Sequence, residues 1–491
     1  MKKILVYILP LLFLLFVLLM KDKAMTQDLG RHLELGKTIL TCHCVPRTNL
    51  FSFTLPNQPF INHHWLSEVV FFLFQSLGGI SSIVFFKVVV ILLTFVIMIF
   101  TARKKASFFW ICVLAVPYIL LFSERFDARP EIFSFLFLSI FVLAIERYRQ
   151  TKSFTLFYIL PLIQILWTNM HIYFLVGIGL IGFLIIEQLV LFGKKLDKRL
   201  LILAGGLLLL TLVNPNGLSG ALYPLEVLHG YGYSIEENQN IFFLNSFFFN
   251  VHILIFEIIA LLLLVSMAFI YRKKDLFWIL ACLFAVVAAG WMIRNFALFV
   301  IITFPAITIL FTELEKRFLV SVKPASKKVI NSCILLGISC MILTTIINHM
   351  ESPLFGFGFI DPGKAATDFF IKNNIKGPIF NNFDIGSYLI YRLYPQTKVF
   401  VDGRPEAYTV AFFDQYKKMQ ENPTFFVSQS AHYHLNAIIF SQTDATPWAQ
   451  EFLRNIAVNK QWVPVYANGY IVILLKNNQE NKQIIEKYTL R

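Results

Sequence analysis

The feature that most constrains this chain is a succession of apolar runs separated by short turns rich in Lys and Arg. Several runs reach about 20 residues, the length an α-helix needs to cross the hydrocarbon core of a bilayer. They lie near 4–20, 80–100, 106–122, 131–145, 154–168, 172–192, 200–213, 254–271, 276–292, 296–312 and 329–348. Alternate turns carry Lys2 and Lys3, Arg103 to Lys105, Arg147 to Lys152, Lys194 to Arg199, Arg272 to Lys274, and Lys316 to Lys328. Basic residues favour the cytoplasmic side, so this alternation is a test of the spans independent of hydropathy. It predicts a polytopic α-helical membrane protein of about eleven transmembrane helices, N-terminus in the cytoplasm, C-terminal part outside.

Composition narrows the reading. Of 491 residues 57% are hydrophobic, and the mean hydropathy is +0.67. The formal net charge of +14 sits in the turns, so it reads as a topology signal and not as a nucleic-acid surface. The N-terminal apolar run has the basic start of a signal peptide, but no small-x-small cleavage site follows, and a retained first helix is expected. The six cysteines make no disulfide framework. Cys42 and Cys44 flank His43, too sparsely for a zinc site, and read as loop cysteines or a redox-labile pair.

Two domains are expected: a transmembrane domain over 1–348 with an external loop at 21–68, and an extracytoplasmic α/β domain over 349–491. In the tail, helical patterns at 364–374, 386–393 and 446–457 alternate with strand-like runs near 377–380, 397–401, 436–440, 462–466 and 469–476. Residues 68–79 read as a short interfacial helix or the start of the second span.

The candidate chemistry lies at external positions. Asp28 follows the first helix closely, where an acid can act as a base or hold a cation beside a lipid phosphate; His32 lies beside it. His64 and Glu68 are four apart and can share a helix face, with Trp65 between them suited to stacking on a sugar or to anchoring at the interface. Arg129, before Pro130, is a natural phosphate clamp, though Arg125 or Arg129 could equally pair with Asp127. His171 sits in a turn between two apolar runs. Arg294 lies between two more, where a charge is costly unless it meets a partner, headgroup or ligand. The loop 214–252 contains no Lys or Arg but carries Glu226, Glu236 and Glu237. In the tail, Asp402 and Arg404 follow the strand-like KVFV run, a position where α/β domains often display functional groups.

These residues resemble the multi-spanning glycosyltransferases of the GT-C type, and more closely a bacterial branch of them. The resemblance rests on Asp28 and His32, on PRTNLFSFT at 46–54, on NHHWLSE at 62–68, on FNNFDIGSYLIY at 380–391 and on VFVDGR at 399–404. It implies a polyprenyl-phosphate-linked sugar as donor, an envelope lipid, glycan or protein as acceptor, and a multi-pass protein of the bacterial cytoplasmic (inner) membrane. It implies Asp28 as catalytic base or metal-associated residue, with a divalent cation (Mg or Mn) as an option. Glu68 is expected to share the catalytic work, and His32, His64, Trp65, Arg129, His171, Arg294, Asp402 and Arg404 to bind substrate. The chain departs from the pattern at three places. Leu29, not a second acid, follows Asp28; His64 replaces a glutamate; and Asn49 stands where an aspartate is frequent.

Two other function classes compete. A transporter or flippase of a lipid-linked envelope precursor would need polar residues within its helices, for which Glu187 and Glu257 are the obvious candidates. A noncatalytic envelope assembly protein would use its external domain as a binding module.

Overall fold

The structure is a computed structural model that describes all residues except 1–7, 228–231, 234–235, 319–322 and 491. Among the described residues five helices are long and apolar enough to cross a membrane: Ser81–Ala102, Phe174–Phe192, Val251–Ile270, Ile293–Phe318 and Pro324–Glu351. Shorter apolar helices include Ile8–Val17, Phe108–Ser123, Thr155–Met170 and Leu276–Trp291. The expected polytopic α-helical architecture is therefore present, and helices cover each of the apolar runs.

The chain forms two compact units, and they do not follow linear order. The first takes residues up to 21, 81–224 and 235–358; the second takes 22–80, 225–234 and 359–491. The external loop 22–68 and the helix after it thus fold with the C-terminal stretch.

In the first unit the helix Phe296–Phe318 is the hub. It packs on Ser81–Ala102, Phe108–Ser123, Glu131–Thr151, Val251–Ile270 and Leu276–Trp291. Its sequence explains this role: over residues 296–311 it is apolar on every face, the signature of a helix enclosed by others. Where it does carry hydroxyls they are bonded, as in the 2.9 Å contact between Thr303 Oγ1 and Tyr118 Oη. The helix Pro324–Glu351 is the opposite case: it is equally apolar, but only 6% of its most apolar window is buried within the protein, which leaves its surface to lipid.

One buried ionic network belongs to the turns that the basic residues mark. Glu146 accepts from Lys105 Nζ at 2.8 Å, Arg149 at 2.8 Å and Trp278 Nε1 at 3.2 Å. Arg149 also grips Glu187 through two nitrogens, at 2.8 and 3.0 Å, and Glu187 accepts the backbone N–H of Phe277. Glu187 is thereby engaged in holding helices together. Glu257 accepts a hydrogen bond from Asn245.

The second unit carries a four-stranded sheet, β1 (Ile379–Asn381), β2 (Ala437–Ser441), β3 (Trp462–Ala467) and β4 (Ile471–Lys476), in the order β1-β2-β4-β3. β1 and β2 run parallel, with Ile379 opposite Ala437; the other pairs are antiparallel. β1 and β2 are buried at every position, as strands covered on both faces are. The expected α/β domain is present, with one correction. The run near 397–401 joins no strand of the sheet. It is extended, and its ladder partner is the external loop: Val399 N–H donates to Phe51 O at 3.0 Å and Phe53 N–H to Val399 O at 3.2 Å. A strand-like pattern specifies extended backbone, but not which neighbour completes it.

A second difference concerns the external loop. Its middle is a helix, Leu29–Cys42, followed by a separate helix Trp65–Gly78 that stops at Gly79, whose φ of +73° favours glycine. Two glycines let the first of these helices nest. A Cβ on Gly30 would stand 2.7 Å from Ser387 O, and one on Gly36 only 2.2 Å from Glu68 O. Backbones in contact at these points bring the Phe383–Leu393 and Trp65–Gly78 helices onto opposite ends of the same short helix.

Candidate functional site

In the second unit the expected residues gather at the start of the Leu29–Cys42 helix. Asp28 occupies its N-cap position, and its side chain is 28% exposed. Arg31, one turn on, is buried, with Nε 3.5 Å from Asp28 Oδ1. Gly403 comes so close that a Cβ there would lie 2.9 Å from Asp28 Oδ1. Asp28 thus has both a helix N-terminus and a guanidinium beside it.

Behind it lies a buried acid. Glu68 accepts from Asn62 Nδ2 at 2.7 Å and meets His32 Nδ1 at 3.0 Å. Burial raises the Glu68 carboxyl to about 7, although the Asn62 hydrogen bond and the charges of Arg31 and Arg404 pull the other way. The expected sharing of a helix face by His64 and Glu68 takes a different form. His64 caps the Trp65–Gly78 helix, and its ring meets His32 edge-on at 5.5 Å and His63 at 3.9 Å. The carboxylate itself is fully buried, held by His32 and Asn62. Trp65, half-buried, opens that helix.

Asp402 and Arg404 form a closed cluster. Both are 0% exposed. Arg404 donates to Asp402 through Nε at 2.7 Å and a terminal nitrogen at 2.8 Å, and to Asn49 Oδ1 at 2.7 Å. Tyr408 Oη donates to Asp402 at 2.8 Å. The guanidinium lies over the Phe51 and Phe60 rings, 5.1 and 5.0 Å from their centres. Burial alone would raise the Asp402 carboxyl, but Arg404 holds it below its ordinary value. Asn49, at the position where the resembling pattern has an aspartate, supplies a neutral acceptor to this pair. The cluster ties the 49–60 loop to the 402–408 turn.

In the first unit three arginines converge on one acid. Arg125 makes a bidentate pair with Glu131, at 3.0 and 2.9 Å, and reaches Glu237 at 3.2 Å. Arg129 donates to the other oxygen of Glu237. Arg294 donates to Asn238 Oδ1 at 3.0 Å. Burial would raise the Glu237 carboxyl, yet Arg125, Arg129 and Arg294 hold it well below the usual range. The link to Asp127 considered from sequence is replaced by Glu131 and Glu237. His171 is buried at 2.9 Å from Ser134 Oγ, which also accepts from Trp167 Nε1 at 2.7 Å.

Sequence reading missed Arg31, Asn62 and Glu237 as members of these clusters. Glu237 had a signal, as an acid in a loop free of Lys and Arg. Arg31 had one in its one-turn spacing from Asp28. Asn62 had none, because only the tertiary fold brings it to Glu68. Cys42 and Cys44 pair in a disulfide at the end of the Leu29–Cys42 helix. Among the described residues no three His, Cys, Asp or Glu side chains are grouped so as to hold a metal ion. Asp28 has a guanidinium, not a second carboxylate, beside it.

No protein-family model and no curated protein sequence matches the chain. Its fold is matched by solved structures along almost its whole length. The archaeal oligosaccharyltransferase AglB from Archaeoglobus fulgidus, in complex with an inhibitory peptide and a dolichol-phosphate, aligns with a TM-score of 0.62 at 10% identity, over 98% of this chain and 75% of that one. ArnT from Cupriavidus metallidurans, bound to undecaprenyl phosphate, gives 0.56 at 13% identity, over 96% of this chain and 97% of that one. The arabinofuranosyltransferase AftD from Mycobacteria gives 0.55 at 12% identity, over 98% of this chain and 40% of that one. The chain shares the fold of these three solved structures, and the protein is a multi-pass membrane protein with a distinct C-terminal extramembrane domain.

Proposed function

We propose that the protein transfers a sugar, hexosyl or pentosyl, from a polyprenyl-phosphate donor to a hydroxyl of an envelope lipid, glycan or protein. The observation that carries this reading is the likeness to AglB, ArnT and AftD over 96–98% of the chain, two of those structures holding a polyprenyl-type phosphate. The chemistry of this chain's own residues is consistent with it. The acceptor oxygen attacks the anomeric carbon from the face opposite the leaving group, the bond from that carbon to the phosphate oxygen breaks, and the polyprenyl phosphate departs with its electron pair. Asp28, the exposed acid of its cluster, takes the acceptor's proton. Arg31 orients Asp28. Within the first unit, Arg125, Arg129 and Arg294 form a positive cluster suited to a lipid phosphate. Glu237 holds Arg125 and Arg129 together until a phosphate engages them. His32, Asn62 and Glu68 act as positioning residues behind Asp28. The membrane is bacterial and cytoplasmic in this reading, with transfer on its outer face.

Purified full-length protein with lipid-linked sugars tests the reading. Asp28→Asn is expected to lower turnover by about 10²- to 10⁴-fold with an unchanged Tm. Arg129→Ala is expected to weaken use of the donor. Unchanged transfer by both variants sinks the assignment. Activity is expected to survive EDTA within about twofold, since the charge on the phosphate is met by side chains; abolition by EDTA and rescue by Mg or Mn would instead place a cation beside Asp28.

A further inference from the structure

The disulfide between Cys42 and Cys44, at the end of the Leu29–Cys42 helix, takes no part in the clusters described so far. It is poorly placed to act as a staple. A cross-link stabilises a fold chiefly by closing a long loop, and this one spans a sequence separation of only 2. The loop after it is fixed without the bridge. Phe60 N–H donates to Arg47 O at 3.1 Å, Asn49 N–H donates to Gln58 O at 3.0 Å, and Arg404 grips the Asn49 side chain. Cys42, His43 and Cys44 are all exposed. An exposed disulfide that joins no two elements has the character of the labile bridges and not of the structural ones.

The local backbone suits both redox forms of the pair. Cys44 N–H donates to Cys42 Sγ at 3.2 Å, and a donor so placed favours negative charge on that sulfur. Cys44 O lies 3.1 Å from the same sulfur, where it can accept from the thiol once the bond is open. His43, inside the ring, has a φ of +52°, a left-handed conformation that costs a residue with a Cβ. The closed ring is therefore not a relaxed one. The other four cysteines, Cys112, Cys282, Cys333 and Cys340, lie in apolar helices of the first unit, so the second unit carries no third thiol to open the pair.

We propose that Cys42 and Cys44 form a thiol–disulfide exchange site that takes electrons from a dithiol on a second protein. The partner's thiolate attacks Cys44 Sγ, the S–S bond breaks, and its electron pair leaves on Cys42 Sγ, beside the Cys44 N–H. Cys42 Sγ then takes a proton from solvent. The partner's second thiol gives up its proton and attacks the mixed disulfide, and Cys44 leaves as a thiolate and is protonated in turn. The site gains two electrons and two protons, and the partner's dithiol becomes a disulfide. The site is independent of the proposed transfer reaction.

The test uses full-length protein in lipid nanodiscs. Reduced glutathione is expected to open the pair, so that mass spectrometry finds a maleimide adduct on both Cys42 and Cys44, and glutathione disulfide is expected to close it again. The Tm is expected to fall by no more than about 2 °C on reduction and in the double variant Cys42→Ser, Cys44→Ser, because so short a ring stabilises little. A thioredoxin variant that keeps only its attacking cysteine is expected to be captured as a mixed disulfide, mainly on Cys44. A pair that glutathione leaves closed, a larger fall in Tm on reduction or in the double variant, no captured thioredoxin, or capture mainly on Cys42 overturns the inference.

Discussion

At the scale of single residues, burial separates groups that look alike in the sequence. Asp28, Glu68 and Asp402 are three acids in segments that read as external. Only Asp28 retains substantial exposure; Glu68 and Asp402 are sealed. Their energetics then differ in sign. Glu68 holds its proton more tightly in the folded state than an unfolded chain would, with its carboxyl at about 7. Its contribution to stability is full below the ordinary carboxylate range and is lost as pH rises through about 7. The second unit should lose on the order of 3 kcal/mol between about pH 4 and pH 8 from this group. Thermal melts across that range should show the slope in the wild type and a flatter profile in Glu68→Gln. Asp402 behaves oppositely, because Arg404 favours its charged form. Removing one partner of that buried pair leaves the other charge stranded, so Arg404→Ala is expected to cost about 3–5 kcal/mol in denaturant unfolding. Arg404→Lys is expected to restore little of it, since an ammonium cannot reproduce the fork that spans Asp402 and Asn49.

At the scale of elements, the informative residues are small. The segment 21–68 reads as a polar loop, and its helix Leu29–Cys42 is easy to overlook because His, Arg, Lys and Glu interrupt its apolar positions. Arg31, His32 and Glu34 are buried there by neighbouring helices that approach through Gly30 and Gly36, while Lys37 stays exposed. Gly36→Ala places a methyl 2.2 Å from a backbone carbonyl that cannot turn aside, so the Trp65–Gly78 helix must shift. That substitution is expected to lower the Tm by several degrees and to reduce activity with it, because Glu68 rides on the displaced helix. Gly386 lies inside the Phe383–Leu393 helix for the same reason. A Cβ there would meet Val401 O at 2.1 Å.

At the scale of the molecule, the two units differ in how far their order follows the chain. The membrane-spanning unit is largely sequential, and its helices fall on the apolar runs. The charged residues within those runs are paired structurally: Glu146, Arg149 and Glu187 bind three helices into one network. This leaves a transporter reading without Glu187, the buried acid it most needed. The topology is directly testable. An alkaline phosphatase fused after residue 490 is expected to be active, and one fused in the turn at Arg272 to Lys274 inactive; the reverse pattern would put the second unit in the cytoplasm and end the proposal of external transfer.

The sequence by itself determined the membrane class, the positions of the spans and the α/β character of the tail. These follow from local quantities: the length of an apolar run, the charge of a turn and the period of a pattern. The resemblance carried by its motifs also led to the fold. Only the tertiary structure decided which polar residues share a cluster. It brought Asn62 to Glu68, Asn49 to Arg404 and Glu237 to Arg125 and Arg129. It also gave the KVFV run to the external loop in place of the sheet. Such pairings depend on contacts between residues up to 355 positions apart. No local pattern encodes them, because a buried charge is selected by the partner that satisfies it and not by its neighbours in the chain.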